Sequence, residues 1–223
     1  MPQPDLRRRP WARAIGLALS LAVAMSDASA GDLTREQALQ ALVQPDPAAR
    51  LAALERLAAV GRMGDVPRLV LSLRDAEPAL REQAAATLWQ VWSRSGDAAT
   101  DALYARGVAQ MQAGAYADAL ASFDTIVRRR PAFAEGWNKR ATLYFALGRY
   151  AESLRDVDEV LKRNPHHFGA LSGAGQIHLR LGHDRQALDF LQRARDIHPG
   201  IDGLDELIPA LRQRLREAGD GTV

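Results

Sequence analysis

Apolar residues recur three and four positions apart along almost the whole chain, and nowhere do they alternate every second residue over a usable length. This pattern predicts helices near 34–43, 47–60, 65–74, 78–94, 100–113, 116–129, 133–147, 150–163, 167–181, 184–197 and 204–217, and no strand. Thr34 followed by Gln37 reads as a capping box opening the first helix. Sliding the chain against itself by 34 residues superimposes Gly114, Gly148 and Gly182, then Pro131, Pro165 and Pro199. Ala119 falls on Ser153 and Ala187, Phe123 on Val157 and Leu191, and Tyr116 on Tyr150, with Asp184 as the third member. Each unit therefore reads as a helix, a turn at Gly, a second helix and a Pro that prevents continuation. The last segment, DELIPALRQRLREAG, is strongly charged on one face and fits a solvating cap, with Pro209 expected to bend or restart it.

The 34-residue unit resembles the tetratricopeptide (TPR) repeat over about residues 100–201. In the middle unit Trp137, Ala141, Tyr144, Ser153 and Pro165 stand at signature positions. Arg106 and Arg140 replace the signature Leu, and Gln110 and His178 replace the signature Tyr. The stretches EGWNKRATLYFALGRY and HFGALSGAGQIHL are similar to those of a group of exported or otherwise uncharacterised bacterial TPR proteins. The resemblance implies an all-α fold, a right-handed solenoid of helical hairpins, with units at about 100–133, 134–167 and 168–201 inside a segment 98–201, followed by a capping helix and tail at 202–223.

A second repeat with a different period lies upstream. PDPAARLAALERLAAV (45–60) aligns with AEPALREQAAATLWQV (76–91) at a shift of 31, matching Pro47 to Pro78, Arg50 to Arg81, Ala53 to Ala84, Leu57 to Leu88 and Val60 to Val91. The stretch DVPRLVLSLRD supplies a short companion helix between them. An acidic residue, a Pro in the first turn, then Arg and an Ala/Leu face resembles a bacterial HEAT repeat, so residues 31–97 are expected to be a HEAT-like segment preceding the TPR units.

The first thirty residues change the charge picture. RRRPWAR is a basic run, AIGLALSLAVAM (14–25) an apolar one, and Ala28-Ser29-Ala30 a small-x-small site; together they read as a secretory signal peptide cleaved after Ala30. The apolar run has 12 residues, too few to span a bilayer, so no stable membrane insertion is expected after cleavage, and the localisation expected is the periplasm. The 223-residue chain has 29 basic and 27 acidic side chains and no Cys. Removing 1–30 leaves 25 of each sign, so the basic character belongs to targeting and gives no reason to expect nucleic acid as a partner. Without Cys there is no thiol for a lipid anchor, for nucleophilic catalysis or for a thiolate metal site.

Catalytic motifs are missing as well: no Gly-rich phosphate loop, HExxH or GxSxG occurs, so the chain is expected not to be an enzyme and to need no cofactor or metal. His178 and His183 are five apart across a turn, not the spacing that converges two imidazoles on one ion. The TPR resemblance implies instead that first helices line a concave groove with the second, fifth, ninth and twelfth residues of each unit. These are Asp101, Tyr104, Val108 and Met111; Glu135, Asn138, Thr142 and Phe145; Gly169, Ser172, Gln176 and Leu179. Apolar anchors alternating with amides and hydroxyls suit a protein or peptide partner, and Asn138 and Ser172, one repeat apart, are the expected centre of the site. Trp137 and Phe168 are expected to fill the interior. Family members that clamp a terminal carboxylate use Lys, Asn and Arg at defined groove positions; Tyr104, Val108, Gly169 and Gly173 occupy most of them, and only Lys139 matches in charge. The expected function is a non-enzymatic interaction scaffold of the cell envelope. A small-ligand or metal-binding periplasmic protein using the His-bearing seam between the second and third units is the alternative.

Overall fold

Residues 33–220 are described by a computed structural model; the expected signal peptide, 1–30, lies outside them. The described chain folds into helices α1 (Arg35–Ala41), α2 (Pro47–Val60), α3 (Val66–Leu71), α4 (Pro78–Trp92), α5 (Ala98–Gln112), α6 (Tyr116–Arg129), α7 (Ala134–Ala146), α8 (Tyr150–Arg163), α9 (Phe168–Arg180), α10 (Asp184–Ile197) and α11 (Leu204–Asp220). Short 3-10 turns at Met63–Asp65 and Ser72–Arg74 flank α3, and no strand occurs among the described residues. Thr34 and Gln37 form the expected capping box on α1. Asp46 caps α2 ahead of Pro47, and Asp97 caps α5 by accepting from the Thr100 N–H.

Helices α5/α6, α7/α8 and α9/α10 pair as three hairpins that stack in chain order. Gly114, Gly148 and Gly182 end the first helix of each with φ of 74°, 72° and 75°, a left-handed conformation that a residue with a Cβ adopts at a cost. Inside the hairpins the two backbones approach closely. A Cβ on Gly107 would lie 2.9 Å from the Phe123 ring and one on Gly175 2.6 Å from Leu191. Ala119 and Ala187 have no exposed surface, and Ser153 at the equivalent position donates its hydroxyl to the Ala141 carbonyl at 2.7 Å.

Where the chain departs from the TPR signature, polar partners take over. Arg140, in place of Leu, forms a fork to Asp156 with both contacts at 2.7 Å, reaches Asp124 at 2.7 Å and lies over the Trp137 ring. Gln110 accepts from the Ser122 hydroxyl at 2.8 Å, and His178 stacks on Phe190 at 5.4 Å. Arg106 is exposed. Helix α11 closes the stack by burying Leu204, Ile208 and Leu211 against α10. It runs through Pro209 without restarting. The missing Pro209 N–H leaves the Asp205 carbonyl without its helical donor, in an exposed part of the helix where water can serve that oxygen.

The upstream period is equally physical. Arg50 donates to the carbonyls of Gln44 and Pro45, and Arg81 to those of Asp75 and Ala76, so each Arg folds back on the turn before its own helix at the same two offsets. The Arg50 fork also grips the Asp75 carboxylate at 2.7 and 3.0 Å, tying the two copies together. Helix α2 packs between α1 and α4, over a core that includes Leu54, Leu57, Leu69, Leu73, Leu88 and Val91.

The two halves do not simply continue one stack. Phe168, the first residue of α9, inserts into the core of the α1–α4 unit beside Trp92, with Ile197 and Ile201 at its edge. Arg74 donates to the Asp196 carbonyl at the end of α10. The upstream unit is therefore folded back across one edge of the three hairpins.

Candidate functional site

First helices α5, α7 and α9 carry the residues expected to line the groove, and the fold-back of α4 divides that lining in two. In the half nearest the loops between units, Tyr104, Glu135 and Asn138 are 9%, 0% and 6% exposed. Gly169 lies against the Trp89 indole, where a Cβ would come within 2.6 Å of the ring. Asp101 accepts from the Ser95 N–H at 2.8 Å and the Ser95 hydroxyl at 2.6 Å, both in the segment leaving α4. The groove is thus not open along its whole length, a correction to the sequence reading: the first two lining positions of each unit are covered or engaged.

Glu135 organises this closed half. Its Oε1 accepts from Asn138 Nδ2 at 3.0 Å and from the Tyr104 hydroxyl at 3.3 Å, and lies 3.3 Å from Lys139 Nζ. Its Oε2 is 2.9 Å from His167 Nε2. His167 Nδ1 accepts from the Ala170 N–H at 3.0 Å, capping α9, so the ring proton resides on Nε2 and is donated to Glu135. The Trp92 ring stacks on His167 at 4.4 Å and 21°, Trp89 meets it edge-on at 5.3 Å, and Lys139 Nζ lies 5.6 Å from the Trp89 ring centre. Burial by itself pushes the Glu135 carboxyl up, but Lys139, His167 and Asn138 together outweigh it and hold the group at about 2. Burial and the Glu135 charge push the Tyr104 phenol far above its ordinary value, so it stays a donor. Asn138, expected at the centre of a binding site, instead spends its amide on Glu135.

The other half remains accessible. Val108 and Met111 on α5, Thr142 and Phe145 on α7, and Gln176 and Leu179 on α9 are all half-buried. Arg180 lies 4.8 Å over the Phe145 ring and donates to the Tyr150 hydroxyl at 3.3 Å. The Thr142 hydroxyl is committed to the Asn138 carbonyl at 2.9 Å, whereas Ser172 Oγ is enclosed with no hydrogen-bond partner. Trp137 serves structure: its ring lies between Arg140 and Arg163, each at 5.0 Å, and its indole N–H donates to the Pro131 carbonyl.

Sequence reasoning passed over Trp89 and Trp92, and placed His167 at a helix start without a role. The two Trp residues, three apart on one helix, form an aromatic stripe that could have been noticed, but nothing local says which surface it covers. The spacing argument against His178 and His183 also needs correction. The turn at Gly182 brings their Nδ1 atoms to 3.4 Å. Among the described residues no group of three or more His, Cys, Asp or Glu side chains is arranged to hold a metal ion, and no helix is long and apolar enough to cross a membrane.

Three stacked helical hairpins of one period, with one face lined by their first helices, define an α-solenoid repeat protein. A family model described as tetratricopeptide repeat matches residues 72–132 and 138–200, more than half of the chain, and its first span takes in α4 together with α5 and α6. The chain belongs to the tetratricopeptide repeat family. It is 33% identical over 149 residues to a TPR repeat-containing protein of Rhizobium etli, covering 67% of this chain and 72% of that one. Among solved structures it is similar to the Sgt2 TPR domain from Aspergillus fumigatus (TM-score 0.51, 19% identity, 57% of this chain and 85% of that one). It is also similar to the first TPR of Spaghetti (RPAP3) bound to an HSP90 peptide (TM-score 0.50, 20% identity, 52% of this chain and 93% of that one). These likenesses concern the fold.

Proposed function

We propose that this protein is a non-enzymatic interaction scaffold of the bacterial cell envelope, exported by residues 1–30 to the periplasm, with a HEAT-like segment at 31–97, three TPR units within 98–201 and a capping helix beyond. The ligand is a peptide or protein segment held on the accessible half of the concave face. The observation carrying this reading is the row of half-buried apolar side chains, Val108 and Met111, Phe145, then Leu179, on three consecutive first helices, interleaved with Gln176 and Thr142. Such a surface offers pockets to apolar side chains and an amide to a peptide backbone. The HSP90 peptide on the similar Spaghetti domain supports peptide binding as a use of the fold. The parallel fold-back of Arg50 and Arg81 supports reading α1–α4 as repeats of their own.

Selection of a displayed peptide library on the chain from Gly31 onward tests the reading. Phe145→Ala and Leu179→Ala should each weaken the selected peptides by about 1–3 kcal/mol, while Arg155→Glu and Asp189→Lys on second helices should leave affinity unchanged. Binding insensitive to both groove changes moves the site elsewhere. The 3.4 Å approach of His178 and His183 favours one second reading, a surface chelate for a divalent transition metal. A thermal shift on zinc addition, reversed by chelator and absent in His178→Gln, would support it; no shift removes it.

A further inference from the structure

Helix α4 reaches the concave face almost entirely through side chains. Its backbone packs closely on α2, whereas few backbone approaches link it to α5, α7 or α9, and Trp89, Trp92 and Ser93 bridge the gap. The cores on the two sides are nearly separate. The three clusters that hold α5 to α11 together contain no residue of α1–α4, and the cluster of the upstream unit takes only Phe168 as a buried member from the hairpins.

The Glu135 network is equally one-sided. Tyr104, Asn138, Lys139 and His167 all belong to the hairpins, so separation from α4 leaves every hydrogen bond of the carboxylate in place and adds water. On the junction itself Trp92 Nε1 and His198 Nδ1 are buried without partners, and each would gain water on opening. The connection between the two parts is short and contains Gly96, exposed and at φ 77°.

We propose that the α1–α4 unit is a displaceable cover, hinged at residues 93–97, which lifts as a folded body and opens the polar half of the concave face around Glu135. In the closed state the groove takes a ligand only along the half running from Val108, Thr142 and Gln176 outward. In the open state a ligand can run the full length of the first helices. Lifting the cover leaves the hairpin cores intact, and unfolding them is a separate, costlier event.

The chain has no Cys, so a single introduced thiol reports its own position. Asn138→Cys places one in the closed half and gives up one of the four partners of Glu135, Ala119→Cys places one inside a hairpin core, and the global unfolding free energy of each variant is measured alongside so that each labelling rate is compared with that variant's own global opening. Each is labelled with a thiol reagent under native conditions, with rates corrected to those of the unfolded chain. Gly169→Leu then serves as a wedge, because the nearest atoms a Cβ there would meet belong to the Trp89 ring, with the edge of His167 next. The cover predicts that Cys at 138 labels more than about tenfold faster than Cys at 119. The wedge should speed position 138 further while leaving position 119 and helix content unchanged. Equal rates at the two positions, a wedge that accelerates both together, or a wedge without effect on 138 would each overturn the cover. Thiol reactivity reads the opening whether or not the groove binds peptide, so this result and the peptide selection fail independently.

Discussion

Glu135 and His167, 32 positions apart, meet at 2.9 Å with no solvent access to either, and the His ring is held in one tautomer by the helix it caps. The pair closes the step between the second and third hairpins, and its His167 ring stacks on Trp92. A charge buried in this way is tolerated because its four partners converge on it, and it becomes costly once one of them is lost.

Glu135→Gln should lower stability by about 3 kcal/mol at neutral pH, since Lys139 loses its counter-charge and one of the two acceptor oxygens becomes an NH2 that faces another donor. The folded carboxyl titrates at about 2, below its unfolded value, so its contribution is fully present above about pH 4.5 and is lost as pH falls towards 2. Chemical denaturation of both chains across this range should show the gap closing on acidification. A gap independent of pH would show that the Glu135 charge is not what the network stabilises.

Arg140→Ala should destabilise the second hairpin by about 3–5 kcal/mol, because Asp156, 4% exposed, loses both arms of its fork. The Asp124 contact adds little of this, its side chain being 41% exposed. Asp124→Ala measured alongside should cost well under half as much.

Ala119→Leu and Ala187→Leu should each cost about 1–3 kcal/mol by overpacking hairpins that leave these side chains no free surface. Arg129→Leu, on an exposed helix end, should be nearly silent. Equal melting temperatures for the three variants would mean the helix register is misassigned.

Processing after Ala30 should give a chain beginning at Gly31. Intact mass of protein recovered from the periplasm of an expressing bacterium checks it, and a chain still beginning at Met1 removes the export reading.

Local pattern was enough to place the helices of the hairpins: α6, α8 and α10 have the ends expected from Gly, Pro and the apolar period, because these signals act within one or two turns of chain. The 34-residue register likewise determined which small residues sit at helix crossings, with Ala119, Ser153 and Ala187 buried as a set. What the pattern could not determine was how the upstream unit meets the hairpins. That depends on Trp89, Trp92 and Phe168 finding one another across about 80 residues, and apolar contact is non-directional, so no local signal encodes its partner. The consequence reaches the binding face. Tyr104, Glu135 and Asn138 occupy groove positions by sequence, yet tertiary packing buries them: Tyr104 lies against Phe123 and Phe133 inside the hairpins, and the α4 rings lie over His167 and Lys139 beside Glu135, while Phe145 and Leu179 stay accessible. The approach of His178 to His183 has the same origin: helix spacing places them apart, and the left-handed turn at Gly182 brings them together.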